Sequence, residues 1–244
     1  MSKDVIKNAF IKSIPIMCSY IFVSMAYGIM MQNAGFGWLY SLTISLTVYT
    51  GAFQFVLVTL LSSTAGIVTI AITAFLMNSR QSFYALTYID EFKKMGNREL
   101  YMIHTMTDET YALNCSIVEE RNVGRISEDV SRQEMFLIAL FSRCYWMAGA
   151  VAGGIIGQII PFDLTGIDFC MTALFVIIFI DQWERTDNHI PAIVGIVVGI
   201  ISLICIGKTY FLLVALIVSS ALLIMFNESS LMNGKKDKVR NKTE

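Results

Sequence analysis

The chain has 244 residues, of which 55% are hydrophobic and only 15% charged, and its formal net charge is −1. A soluble domain carries about 25% charged residues. These figures therefore argue against a soluble enzyme or a nucleic-acid partner, and they exclude a disordered chain. What survives is a polytopic membrane protein or a soluble protein with an unusually large core, and the placement of the charges separates the two.

Residues 1–12 carry Lys3, Lys7 and Lys12 and read as a cytoplasmic N-terminal segment. The apolar run that follows lacks the short h-region and small-residue cleavage site of a signal peptide. It reads instead as a retained first helix over 14–31. From residue 13 to residue 79 there is no Asp, Glu, Lys or Arg, a run of 67. A membrane helix needs about 20 mainly apolar residues, so this run alone holds two or three spans. The expected spans are 14–31, 38–61, 135–160, 168–183, 190–207 and 209–226. Segment 65–78 is apolar but short, and 99–118 is amphipathic. The fold class is thus an all-α polytopic helical bundle. Residues 13–227 form the transmembrane domain and 228–244 a basic cytoplasmic tail.

Six full spans with 65–78 re-entrant place both termini inside, together with sixteen of the eighteen Lys and Arg residues. Lys208 alone lies outside, and Arg143 falls within a span. Eight spans would give twelve inside and five outside, so the positive-inside rule favours six. The five cysteines are scattered without a CxxC pair and read as small buried packing residues. His104 and His189 have no partners at metal spacing, so no metal or cofactor is implied. A weak internal similarity is visible. Cys18-Ser19-Tyr20 is followed by Gly28 and Gln32, and Cys144-Tyr145-Trp146 is followed at the same distances by Gly154 and Gln158. Transporters are often built from such repeats.

Polar groups in hydrocarbon cost several kcal/mol when unpaired, so each asks for a reason. In Tyr49-Thr50-Gly51-Ala52-Phe53-Gln54-Phe55, Thr50 and Gln54 sit mid-run and Gly51-Ala52 weakens the helix. One reading is a broken helix whose free backbone groups line a substrate cavity. The other is close helix packing at Gly51-Ala52, with Gln54 bonded across helices. In Asn78-Ser79-Arg80-Gln81, Arg80 either snorkels to the interface or points inward and holds a carboxylate. Asp108 and Glu109 lie about 100° apart on a helix, so either one carboxylate faces protein and the other water, or both belong to an exposed cytoplasmic helix. Arg143 and Asp181 are the remaining intramembrane charges, expected to pair with each other or with Asp108 or Glu109. Gly149, Gly153, Gly154 and Gly157 have small-xxx-small spacing and form a packing face rather than a nucleotide loop. No HExxH, GxSxG or paired-Asp motif points to an enzyme.

Taken together these residues resemble the AzlC family, the large subunit of branched-chain amino-acid exporters. The resemblance rests on Pro15 and Gly28 in the first helix and on Gly51-Ala52-Phe53-Gln54-Phe55. It rests also on Asn78-Ser79-Arg80-Gln81, where Gln81 replaces the usual His, on Asp108-Glu109-Thr110-Tyr111, on Trp146, and on the block from Asp168 to Phe175. It covers roughly residues 10–225. It implies a secondary exporter of valine, leucine, isoleucine and methionine in the cytoplasmic membrane, working with a small AzlD-like membrane subunit. The Gln81 departure removes a group that could titrate near neutral pH.

A zwitterionic aliphatic amino acid needs an anion site, a cation site and an apolar pocket. Arg80, the helix-break amides near Gly51 and Gln54 are the candidates for its carboxylate, with Thr50 and Asn78 as further substrate-binding candidates. Asp108 or Glu109 is the candidate for the ammonium group or for a coupling proton. Tyr27, Phe53, Phe55 and Trp146 are the candidates for the side-chain pocket. The competing readings are a non-catalytic assembly subunit, and an importer or channel for small zwitterions. Direction is set by coupling energy rather than by residue type.

Overall fold

The computed structural model describes residues 2–159, 189–206 and 214–225, together with 176, 179–180, 183–184 and 211. All regular structure among them is helical. The chain forms two compact units, Met1–Ala65 with Met77–Met171, and Gly66–Leu76 with Thr172–Glu244.

The first unit is built on two long helices. Helix α1 (Lys3–Asn33) starts at Ser2, whose side chain accepts a hydrogen bond from the Val5 amide, and it runs through Pro15 without ending. Helix α8 (Glu128–Ile159) is 32 residues long, about 48 Å at 1.5 Å per residue. Both are long and apolar enough to cross a membrane. They run parallel: Phe10 meets Phe141, Tyr20 meets Trp146, and Gln158 donates to Gln32 at 3.3 Å. Two of the residue pairs aligned by the internal similarity, Tyr20 with Trp146 and Gln32 with Gln158, thus touch.

The contact is backbone against backbone. A Cβ added at Gly153 would lie 2.8 Å from both C and Cα of Met25, and one at Gly149 would lie 2.7 Å from Ile21 O. A Cβ at Gly28 would lie 2.7 Å from Gly154 N. The small residues of α8 are therefore a packing face, as their spacing suggests.

Between these helices the expected span 38–61 is two helices, α2 (Trp38–Thr47) and α3 (Gly51–Ser62), broken at Val48-Tyr49-Thr50. Helix α4 (Ile67–Thr87) differs from the expected short segment 65–78. Its apolar part, Ile67–Ser79, is shorter than a span, but the helix continues through Asn78-Ser79-Arg80-Gln81 to Thr87. Polar composition ends the apolar run there, not the helix. After α5 (Ile89–Lys93), segment 99–118 also differs from a single helix. It splits into α6 (Glu99–His104) and α7 (Asp108–Asn122) because Thr107 and Thr110 form a reciprocal capping box that starts a new helix.

In the second unit, Ile190–Ile206 and Val214–Met225 are apolar helices that lie within two expected spans and are each shorter than a full span among the described residues. Side chains such as Ile193, Ile200 and Ile204 are exposed, a surface suited to lipid rather than water. The expected span 168–183, with the Asp168 to Phe175 block and Asp181, lies largely outside the described residues, as do Lys208 and the basic tail. The cysteines correct an expectation. Cys18, Cys115, Cys144 and Cys205 are exposed rather than buried; small apolar thiols are as compatible with a lipid-facing surface as with a core.

Replacing Gly153 by Leu drives a side chain into the α1 backbone and is expected to destabilise the protein by about 1–3 kcal/mol. Gly195→Leu, with open space around its Cβ position, should melt like the wild type. Thermal unfolding in detergent compares them.

Candidate functional site

The site grows from the break between α2 and α3. A broken helix leaves carbonyls at one end and amides at the other without intrahelical partners. On the α2 side, Leu46 O accepts from the Arg143 guanidinium. Val48 O accepts from Gln54 Nε2 at 2.6 Å, and also from the Thr50 amide at 3.0 Å. The other end of the Gln54 amide, Oε1, accepts from the Trp146 indole N–H at 2.9 Å. Gln54 is completely buried and Trp146 nearly so. A Cβ on Gly51 would lie 2.7 Å from the edge of the Trp146 ring. The two sequence readings of this stretch are therefore one arrangement. The helix is broken, the glycine admits a tryptophan, and the glutamine bonds across helices to hold the break.

On the α3 side the amides are left open. Thr50 occupies the N-cap position, but its side chain makes no cap hydrogen bond. Its hydroxyl donates instead to Gln81 Oε1 at 2.9 Å. The first turn of α3 therefore presents backbone N–H groups and the positive end of the helix dipole.

A second polar element adjoins Trp146. The Tyr20 ring meets the Trp146 ring edge-on, with centroids 5.3 Å apart. The Tyr20 hydroxyl donates to Glu109 Oε2 at 2.7 Å and lies 2.8 Å from Thr107 Oγ1. Asp108 and Glu109 occupy the first turn of α7, where the helix dipole favours carboxylates. Asp108 is half-buried and Glu109 exposed, which agrees with one carboxylate facing protein and the other water.

The apolar candidates are closed to solvent in this conformation. Tyr27, Phe53, Phe55 and Trp146 are all 4% exposed or less, and the Tyr27 and Phe55 rings meet edge-on at 6.0 Å. Neither the Tyr27 nor the Tyr49 hydroxyl has a partner among the described residues. Asn78 lies in α4 with its Oδ1 buried and likewise unpartnered among them. The Arg80 backbone belongs to α4, but its side chain is outside the described residues, as is Asp181.

Of the partners expected for Arg143, Asp181 lies outside the described residues. The Arg143 guanidinium caps the α2 carbonyl end and faces the rings of Tyr49 and Tyr101 at 5.7 and 5.5 Å. The negative end of the α2 dipole and two aromatic faces satisfy it.

Sequence reasoning missed three groups. Tyr20 figured only in the internal similarity, and Thr107, next to Asp108, was not singled out. The third is a cluster in which Lys12 Nζ bonds Glu134 Oε2 at 2.8 Å and Glu120 Oε2 at 2.7 Å. Its one available signal was a glutamate heading the apolar run of α8.

Comparison with known proteins gives a consistent picture. A family model described as "AzlC protein" matches residues 15–160. A membrane protein of Helicobacter pylori (strain ATCC 700392 / 26695) is 37% identical over 223 residues, covering 91% of this chain and 95% of its own length. The "Branched-chain amino acid transport protein AzlC" of Bacillus subtilis (strain 168) is 33% identical, covering 86% of this chain and 81% of its own. "Inner membrane protein YgaZ" of Escherichia coli (strain K12) is 29% identical over 77% of this chain and 78% of its own. No solved structure gives a significant match.

Gln54→Leu would leave the buried Trp146 N–H without its acceptor and take from Val48 O one of its two donors. The expected cost is about 1–3 kcal/mol for the unsatisfied N–H, read as a lower melting temperature. Trp146 fluorescence should shift with it.

Proposed function

This chain belongs to the AzlC family, and on that premise we propose that it is the permease subunit of a secondary exporter. Its substrates are the branched-chain amino acids valine, leucine and isoleucine, with methionine as a further substrate. It works in the cytoplasmic membrane with a small AzlD-like membrane subunit. The observation that carries the reading is the broken helix, which sets an open, positive α3 N-terminus beside a polar group ending in a carboxylate. The amides of Gly51 and its neighbours, with Thr50, Gln54, Asn78 and Arg80, take the substrate carboxylate. Glu109 takes the ammonium group, held by Tyr20, with Asp108 beside it. Tyr27, Phe53, Phe55 and Trp146 part to admit the aliphatic side chain. The chain is a carrier and not an enzyme.

The parallel run of α1 and α8 supports six spans. Two parallel spans need an odd number of crossings between them. The broken pair α2–α3 supplies one. A crossing by α4 would need a second partner, and the split, charge-rich segment of α6 and α7 is poorly suited to be it. Both termini are then cytoplasmic. The contacts between Tyr20 and Trp146, Gly28 and Gly154, and Gln32 and Gln158 favour a parallel internal repeat.

Cells loaded with dipeptides containing valine, leucine, isoleucine or methionine test this. Efflux of the liberated amino acids should quicken only when this chain and its small partner are expressed together. Unchanged efflux from correctly inserted protein would sink the exporter reading. Tyr20→Phe removes a hydrogen bond to a carboxylate and should slow efflux by about tenfold. Leu100→Ala, at a side chain 80% exposed, should leave it unchanged.

A further inference from the structure

Glu134 has an environment that the transport site does not explain. It is completely buried. One oxygen, Oε2, bonds Lys12 Nζ at 2.8 Å, and the other, Oε1, is buried with no partner among the described residues. Ser131, three residues earlier on the same face of α8, is also fully buried, and its hydroxyl has no partner among them. Lys12 does not belong to Glu134 alone, since the same ammonium bonds Glu120 Oε2 on α7 at 2.7 Å. Side-chain exposure falls from 31% at Glu120 through 25% at Lys12 to 1% at Glu134.

One cation is thus shared by two carboxylates, one reachable by water and one not. The cluster carries a net negative charge. Lys12 is the last charge before the neutral run of α1, and Glu134 the last before the apolar stretch that leads to Arg143. Because α1 and α8 are parallel, both mark the same end of the bundle.

We propose that Glu134 is the proton-carrying carboxylate that couples transport to a pH gradient, with Lys12 as its exchangeable counter-ion. The proposal rests on the exporter reading. When the end of α1 shifts from α8, Lys12 stays with Glu120 and leaves Glu134 buried without its cation. An unpaired buried carboxylate favours its neutral form. Glu134 then takes one proton, with Oε1 the free acceptor. Lys12 remains an ammonium, and the cluster goes from one net negative charge to none. Return of Lys12 to Glu134 expels the proton.

The other nearby charges are engaged elsewhere. On α7, Arg121 bonds Glu91 at 3.0 Å. On α8 itself, Arg132 is held by Glu91 at 3.1 Å and Glu128 at 2.5 Å. Arg98 lies over the Phe136 ring at 4.4 Å. On the α1 side, the Tyr145 hydroxyl pairs with Ser13 at 3.1 Å. Lys12 and Glu120 are the charges bonded into the Glu134 cluster.

Inside-out membrane vesicles holding the chain and its small partner separate coupling from carriage. An imposed acid-inside gradient should drive labelled valine into wild-type vesicles. Glu134→Gln keeps the shape of the side chain and an oxygen for Lys12. It should lower gradient-driven accumulation by roughly tenfold or more while counterflow exchange of labelled for unlabelled valine continues. Glu134→Asp should restore part of the gradient response. Wild-type accumulation by the Gln variant would overturn the proposal and leave the exporter reading standing. So would equal loss of counterflow with unchanged melting, which would make Glu134 necessary for carriage itself rather than for coupling.

Failure of wild-type vesicles to move any amino acid would instead sink the exporter reading. Infrared difference spectra on acidification decide the protonation independently of transport. The wild type should show one carboxylic-acid carbonyl component, beyond those of the other carboxylates, that Glu134→Gln lacks, and identical spectra from the two refute the assignment.

Discussion

The close approach of α1 and α8 fixes the rest of the first unit. In hydrocarbon there is no hydrophobic force to drive two apolar helices together, so dispersion between closely spaced backbones must do it. Gly149, Gly153 and Gly157 repeat every four residues along α8 and let the α1 backbone settle onto it at Ile21, Met25 and Ile29. That contact sets the height of every polar group shared by the two helices. It brings Tyr20 to Trp146, Lys12 to Glu134 and Gln32 to Gln158. A side chain inserted at one of these glycines would disturb the polar site and the ion cluster together.

Backbone accounting explains the polar residues at the break. A helix interrupted inside an apolar layer cannot turn to water for its loose groups and must find protein partners. The carbonyl end of α2 finds them, with Arg143 on Leu46 O and Gln54 on Val48 O. The amide end of α3 does not, because Thr50 turns its hydroxyl to Gln81. The two halves of the break are therefore unequal. The negative end is met by side chains of the protein, and the positive end carries no side-chain cap among the described residues.

Much of this is legible in the sequence, and the exceptions share a cause. Charge-free length finds α1 and α8, glycine spacing finds their contact, and the polar interruption at Thr50, Gly51 and Gln54 finds the break. These are local signals. The Arg143 cap on Leu46 O is not foreseen, because a helix-end carbonyl has no side-chain identity to read. Tyr20 and Glu109 are 89 residues apart, and no periodicity connects them. The boundary at 78 fails because hydropathy marks where an apolar surface ends, whereas α4 continues on helix-compatible polar residues. The Lys12 cluster is missed because each member, taken alone, looks like an ordinary charge at the end of an apolar run.

The two long helices present equivalent positions with unlike chemistry. Tyr20 and Trp146 occupy matching places in the internal similarity and touch. Yet one hydroxyl reaches a carboxylate at the start of α7, and one indole N–H reaches the amide that holds the α2–α3 break. Helix α7 is tied to α1 a second time, two turns away, through Glu120 and Lys12. A displacement of α7 along α1 must therefore break the bond at Tyr20 or carry that ring against Trp146, and Trp146 is the donor that steadies Gln54. The same displacement would pull Glu120 away from Lys12, or take Lys12 from Glu134. Through these bonds the carboxylate end of the polar site, the broken helix and the ion cluster are joined in one mechanical path, each step of which is a few hydrogen bonds or a ring contact.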